Sequence, residues 1–193
     1  MRIPLPDADI RYFDDFISHD QSIEYLDLLL YSVDWQQNKI KMFGKVYDEP
    51  RLTAWYGDEG VRYKYSGIHL EPTFWSDLMM DIKTKVNAAA GVEFNSALLN
   101  YYRDGQDSMG YHQDNEPELG PNPVIASLTF GAERTFQLKH ITDKSIKRKD
   151  IPLKSGSLLI MAGKTQHYWK HQIPKTKKPI GPRLNITFRA IKG

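Results

Sequence analysis

The stretch Tyr111-His112-Gln113-Asp114 makes the clearest offer of chemistry in the chain. Two residues apart on a strand, His112 and Asp114 leave by the same face. An imidazole nitrogen beside a carboxylate oxygen supplies two-thirds of the 2-His-1-carboxylate triad that holds non-haem Fe(II). Such a triad fills one face of an octahedron and leaves three positions for cosubstrate and O2. The same pair also occurs in turns where the aspartate only orients the histidine, so its meaning depends on what lies downstream.

A third ligand must be a histidine or carboxylate far along the chain. Of the six histidines, His19 precedes a helix, and His69 and His140 sit near turns. His167 and His171 remain, in Thr165-Gln166-His167-Tyr168-Trp169-Lys170-His171. Four residues apart on a strand they would share a face, so spacing does not choose between them. Just beyond, Arg183-Leu184-Asn185-Ile186-Thr187-Phe188-Arg189 alternates fully. Leu184, Ile186 and Phe188 point one way; two arginines, an amide and a hydroxyl point the other. That face suits either solvent or a polar cavity, where an arginine presents a planar fork to a carboxylate. Asn100 and Tyr102 share a face in the same manner and could complete an anion pocket.

The elements that must position these groups are legible in outline. Ser18-His19-Asp20-Gln21 has the form of a capping box, followed by Ile23, Leu26, Leu29, Leu30 and Val33 at helical steps. A second helix is expected over residues 73–90, with Trp75, Leu78, Met79, Ile82 and Val86 on one side and Gly91 as its stop. From Glu93 onward, short strands at 96–102, 124–130, 135–139, 157–161 and 184–190 are separated by turns. That density indicates a sandwich or jelly roll rather than βαβ units. Residues 39–67 are short, aromatic and turn-rich; Tyr63 and Tyr65 alternate beside Arg62, Lys64 and Lys45, a composition suited to base stacking or to covering a core.

Composition narrows the classes. The 193 residues, 40% hydrophobic and 26% charged, fit one globular domain. With no cysteine, disulfides, thiolate metal sites and cysteine nucleophiles are excluded. The start of the sequence is neither a signal nor a transit peptide, and no apolar run approaches the ~20 residues of a membrane span. An intracellular protein is expected, with no membrane partner, cytoplasmic if prokaryotic and nuclear as an option if eukaryotic. Residues 1–138 hold 12 Lys+Arg against 22 Asp+Glu, and 139–193 hold 14 against 2, giving −10 and +12. The basic part, including the loops at 143–150 and 175–178, suits a polyanion or simply a solvated face.

His112-x-Asp114, a later histidine and Arg183-x-Asn185-x-Thr187-x-Arg189 together resemble the AlkB family of Fe(II)/2-oxoglutarate-dependent dioxygenases. So do Asn100-Tyr101-Tyr102-Arg103-Asp104-Gly105, Ile125-Ala126-Ser127-Leu128-Thr129-Phe130-Gly131-Ala132 and Ser155-Gly156-Ser157-Leu158-Leu159-Ile160-Met161. The similarity runs from about residue 40 onward and is nearest to the duplex-DNA-active alkylation-repair members. It implies an α+β fold: a double-stranded β-helix (jelly roll) over about 93–193, flanking N-terminal helices, and a nucleotide-recognition lid over about 40–67, all within one domain. His112, Asp114 and His171 would be the iron ligands, His171 matching the family histidine before an Ile-Pro turn (Ile173-Pro174). Arg189 would pair with the distal carboxylate of 2-oxoglutarate, with Arg183, Asn100, Tyr102, Asn185 and Thr187 completing that pocket.

The implied cofactors are Fe(II), 2-oxoglutarate and O2. The implied reaction is oxidative demethylation of N-alkylated bases of the 1-methyladenine and 3-methylcytosine type, releasing formaldehyde, succinate and CO2. Tyr63 and Tyr65 match positions that sandwich a flipped base, with His112 closing the other side. Met42-Phe43-Gly44 resembles the hydrophobic finger that fills the gap in a duplex. Lys45, Arg51, Lys64, Asn115 and Glu116 would complete the substrate contacts. Asn115 departs from relatives that often carry a second acid there, which bears on the choice between adenine and cytosine lesions. The implied partner is alkylated DNA, met by a monomer. The same chemistry on RNA or a protein side chain, or a non-catalytic nucleic-acid-binding jelly roll, are the alternative readings. A zinc hydrolase is disfavoured because no general base is evident.

Overall fold

Two antiparallel sheets face each other across the site, and their strands draw on the whole length of the chain. The computed structural model describes residues 1–192 apart from Phe43, Arg62, Ser66, Gly67 and Glu71; the side chains of residues 41, 42, 63–65 and 68–70 are also outside the description. In chain order the strands are β1 (Arg2–Ile3), β2 (Asp9–Phe13), β3 (Lys39–Met42), β4 (Lys45–Asp48), β5 (Leu52–Gly57), β6 (Tyr63–Tyr65), β7 (Ile68–Leu70) and β8 (Ser96–Tyr102). They continue as β9 (Met109–His112), β10 (Ile125–Gly131), β11 (Arg134–His140), β12 (Lys149–Leu153), β13 (Leu158–Ala162), β14 (Trp169–Ile173) and β15 (Arg183–Arg189). The helices are α1 (His19–Ser32), α2 (Asp77–Ala90) and the single turn α3 (Thr165–Tyr168).

The major sheet runs β1-β2-β13-β10-β15-β8-β5 and the minor sheet β12-β11-β14-β9. This is the expected jelly roll. Two small hairpins, β3–β4 and β6–β7, stand outside both sheets. Alternation along the central strands divides the interior in two. Ala97, Leu99, Leu128, Phe130, Ile186 and Phe188 pack outward beneath α1 and α2, against Leu29, Met79, Ile82 and Val86. Leu98, Ile125, Leu159 and Met161 face inward, against Phe136, Leu138, Ile151 and Trp169 of the minor sheet. Each fully buried side chain of this size contributes about 1.5–3 kcal/mol of transfer free energy, so the outward face of β15 is committed to the fold while its inward face is left polar.

The capping box is real: Ser18 caps α1 and its hydroxyl accepts from the Gln21 amide. The expected stripe is shifted, however. Ile23 is exposed, and Ser22 and Tyr25 are buried in its place. Tyr25 turns inward because its hydroxyl can donate to Asp81 on α2 (3.0 Å). The second helix begins later than expected, at Asp77, because Ser76 caps it, while Thr73 is held in a bridge to Tyr56. Gly91 ends it at φ 72°, a left-handed conformation that favours glycine.

Candidate metal and cosubstrate site

β9 and β14 are neighbours in the minor sheet, and His112 lies directly opposite His171. The two rings meet edge to face, 4.2 Å between centroids. Asp114 completes the group: one ligand atom from each of His112, Asp114 and His171 lies within 4.8 Å of the others. The sequence expected His112 and Asp114 to share a strand face. Instead β9 ends at His112, and the chain bends so that Asp114 turns inward from just beyond the strand.

Each member of the group is prepared for a cation. The Nδ1 of His112 lies 2.9 Å from the Gly110 carbonyl. A carbonyl can only accept, so Nδ1 carries the hydrogen and the Nε2 lone pair is left for a metal. Burial, helped by the charge of His171, lowers the His112 pKa to about 4, so the ring is neutral in the physiological range. Burial works to raise the pKa of Asp114, but Arg189 and His171 outweigh it and hold the carboxyl well below its usual range. Arg189 donates to Oδ1 of Asp114 through Nε (3.1 Å) and through Nη2. Oδ2 is left facing Nε2 of His171, 3.4 Å away. The His171 ring is itself held in place by stacking on Phe136, with centroids 5.0 Å apart. Two imidazoles and one ionised carboxylate, with no sulfur, form a donor set suited to Fe(II).

The polar face of β15 forms the floor of the adjoining cavity, about 440 Å³ including its mouth, which Asn100, Tyr102, Ser127, Asn185, Thr187 and Arg189 help to line. Register explains the grouping. Asn185 lies opposite both Asn100 of β8 and Thr129 of β10, and Arg183 lies opposite Tyr102. Asn185 accepts from Arg183 (2.7 Å) and from Ser127 (3.0 Å), and donates to Thr187 (3.0 Å). Ser127 and Thr129 were missed in the sequence, although their alternation with Ala126, Leu128 and Phe130 carried the same signal as β15.

The two arginines of this face have different partners. Arg189 is engaged at the metal end by Asp114. Arg183 is the guanidinium with unmet demand. It is 1% exposed, and although Nη2 bonds Thr129 and Asn185, its Nε and Nη1 are buried with no hydrogen-bond partner. Among the described residues no carboxylate pairs with it. Burial lowers its pKa to about 10, opposed by Tyr102, whose ring lies 5.0 Å from the guanidinium carbon. A buried cation with two idle donors is costly unless an anion joins it. That is the need a dicarboxylate would meet.

Other expected residues fall elsewhere. His167 lies in α3, exposed, 3.0 Å from the Asn122 side chain. The helix-to-strand junction at Trp169 separates it from His171, so the two do not share a face as a continuous strand would require. Arg51 is no surface contact. It is 4% exposed and donates to Asn100 (2.8 Å), Glu49 (3.1 Å) and the Ser108 carbonyl (3.4 Å), a buried brace behind the floor. Asn115 is exposed and Glu116 half-buried, both following Asp114 directly. Gly44 takes φ 78° at the β3–β4 turn, with Lys45 exposed beside it. Tyr63, Lys64 and Tyr65 form β6, paired with β7, but their side chains, like the whole of Phe43, lie outside the described residues.

The profile of the 2OG-Fe(II) oxygenase superfamily matches residues 9–189. The chain belongs to that superfamily, and within it to the AlkB family. It is 40% identical to the alpha-ketoglutarate-dependent dioxygenase alkB homolog 3 of Mus musculus, over 91% of this chain and 64% of that protein. It is 42% identical to the human DNA oxidative demethylase ALKBH2, over 79% of this chain and 61% of that protein. The chain thus spans just under two-thirds of the length of these relatives. Among solved structures, OsALKBH1 superposes with a TM-score of 0.66 at 18% identity, covering 98% of this chain and 99% of the other. A Trichoplax adhaerens prolyl hydroxylase bound to a hypoxia-inducible-factor peptide does so with 0.64 at 14%, covering 95% and 83%. Both share the fold. Among the described residues no helix is long and apolar enough to cross a membrane.

Proposed function

We propose that this chain is an Fe(II)/2-oxoglutarate-dependent dioxygenase that demethylates N-alkylated bases in DNA, acting as a single-domain monomer, with residues 40–67 apart from β5, which is built into the major sheet, as its nucleotide lid. The observation that carries the reading is the His112–Asp114–His171 group set beside a buried guanidinium with two idle donors. Nε2 of His112, Oδ2 of Asp114 and His171 would hold the iron. Arg189 keeps Asp114 ionised and occupies the oxygen turned away from His171. Arg183 would receive the distal carboxylate of 2-oxoglutarate, with Tyr102, Asn185 and Thr187 shaping the pocket. Asn100 would present its amide NH2, since its Oδ1 is taken by Arg51.

With iron, 2-oxoglutarate and O2 bound, the site supplies oxidation of an N-methyl carbon while 2-oxoglutarate becomes succinate and CO2; the hydroxymethylated base then releases formaldehyde and regains its N–H or free ring nitrogen. The protein's own work is binding, orientation and the exclusion of water. No side-chain acid or base is required at the methyl group. DNA as substrate is supported by the names of the relatives and by the exposed Lys144, Lys147, Lys149, Lys175, Lys177 and Lys178. Lys144 and Lys147 lie in the loop after β11, Lys149 opens β12, and Lys175, Lys177 and Lys178 follow β14, so all six border the sheet that carries both histidines and could meet phosphates.

Mass spectrometry of oligonucleotides bearing 1-methyladenine or 3-methylcytosine, with iron and with or without 2-oxoglutarate, tests the proposal. Loss of 14 mass units per lesion (a methyl group exchanged for hydrogen) that depends on 2-oxoglutarate is expected. Absence of turnover on DNA would refute the substrate, and turnover on matched RNA alone would reassign it, because only the 2′-hydroxyl separates them.

A further inference from the structure

We infer that Gln166, together with Gln113, is a positioning clamp that sets Asp114 in place before any metal arrives. The inference rests on the metal-site reading above. Asp114 lies past the end of β9, and the β9–β14 ladder is short: His171 pairs with His112 and Ile173 with Met109, with a register shift between them. That ladder aligns the two histidines but does not itself fix the aspartate.

Gln166 does. Its side chain is fully buried, and Oε1 accepts the backbone N–H of Asp114 at 3.0 Å. A backbone N–H only donates, so the amide oxygen must face Asp114 and the NH2 must face away. There it meets the sulfur of Met161 at 3.6 Å, a weak acceptor on β13. Both ends of the amide therefore select one orientation. Gln113 closes the clamp by donating from Nε2 to the Gln166 carbonyl. The two glutamines tie residues 113–114 to the turn that leads into β14 and His171, so the carboxylate ligand and the second histidine ligand are referenced to one point. Neither glutamine is a ligand; each acts through Asp114. Partners of this kind typically change metal affinity by 10–100-fold when removed.

Cobalt(II) titration of the metal-free protein tests the clamp, with affinity read by calorimetry and the geometry of bound cobalt by its visible absorption. Gln166→Leu keeps the volume and removes both amide bonds. The expected result is a 10–100-fold weaker cobalt affinity and an altered cobalt spectrum at a temperature where circular dichroism shows the variant folded. A purely structural role would lower thermal stability yet leave the spectrum of bound cobalt unchanged. Affinity within twofold of the parent, with the parent's spectrum, overturns the inference. If Gln166→Leu does not fold, Gln113→Leu decides by the same criteria, with at least a threefold loss expected and an unchanged affinity overturning the clamp. A parent that takes up no cobalt overturns the metal-site reading and the clamp with it; a parent that binds while the variants bind equally removes the clamp alone.

Discussion

Arg183 and Arg189 sit six positions apart on one strand face, yet their electrostatic situations are opposite, and substitution should separate them. Arg189→Met strands the buried Asp114 carboxylate, so the metal-free protein should lose about 3–5 kcal/mol, the usual cost of breaking a buried pair. Its metal affinity should fall as well. Arg183→Met removes bonds to Thr129 and Asn185 but also relieves an unpaired buried cation. It should cost the apo fold at most about 1–2 kcal/mol while weakening 2-oxoglutarate binding at least tenfold. Chemical denaturation and 2-oxoglutarate titration, done on both variants, check the contrast; the reverse pattern would restore Arg189 as the cosubstrate's anchor. The site also predicts an acid sensitivity. His112 gains its proton near pH 6.5 when unfolded but only near 4 when folded. Between those values the unfolded chain binds more protons, so stability falls as pH drops through that window. Thermal melts of the metal-free protein should show this decline, and His112→Asn should flatten it. Asp114, with its depressed pKa, adds to the loss only in still stronger acid.

At the scale of elements, the strands with one polar and one apolar face were the legible ones. β15 announced itself because Arg183, Asn185, Thr187 and Arg189 had to face the cavity while Leu184, Ile186 and Phe188 faced the helices. β5 did not, because Thr53 through Gly57 are all buried and leave no alternation to read. The choice between His167 and His171 was beyond spacing, since it turns on one helical turn ending at Tyr168. The burial of Arg51 was not legible, because a buried ionic brace and a surface cation look alike until the partners, here Glu49 and Asn100, are brought together by folding. Phe43, outside the described residues, carries its own prediction. Phe43→Ala should slow repair of duplex oligonucleotides more than single-stranded ones, because only the duplex leaves a gap to be filled after base flipping. Equal losses on the two substrates, compared by initial rates, would remove the finger role.

Across the whole molecule, exposed lysines of residues 139–193 lie on the loops and edge of the minor sheet (Lys144, Lys147, Lys149, Lys175, Lys177 and Lys178), while Asp20, Glu24 and Asp27 are exposed on α1. Those lysines are the groups that would meet a polyanion. DNA affinity is expected to fall linearly with salt on logarithmic axes, and each of Lys147→Ala, Lys177→Ala and Lys178→Ala should reduce the slope by up to about 1 if it meets a phosphate. Fluorescence anisotropy across a salt series measures this, and a slope unmoved by all three changes would leave these lysines as solvated surface.

The position of β9 has a consequence for the protein's internal breathing. It is the four-residue edge strand of the minor sheet, paired among the described residues with β14 alone, and it ends at His112, one of the three proposed ligands. Edge strands held on one side open readily, so amide protons there should exchange with deuterium far sooner than those of β10 and β15 in the sheet interior. A cation gripped by His112 and His171 together would suture that margin to its neighbour. Metal should then slow exchange selectively across residues 109–114, and leave the already protected central strands as they were.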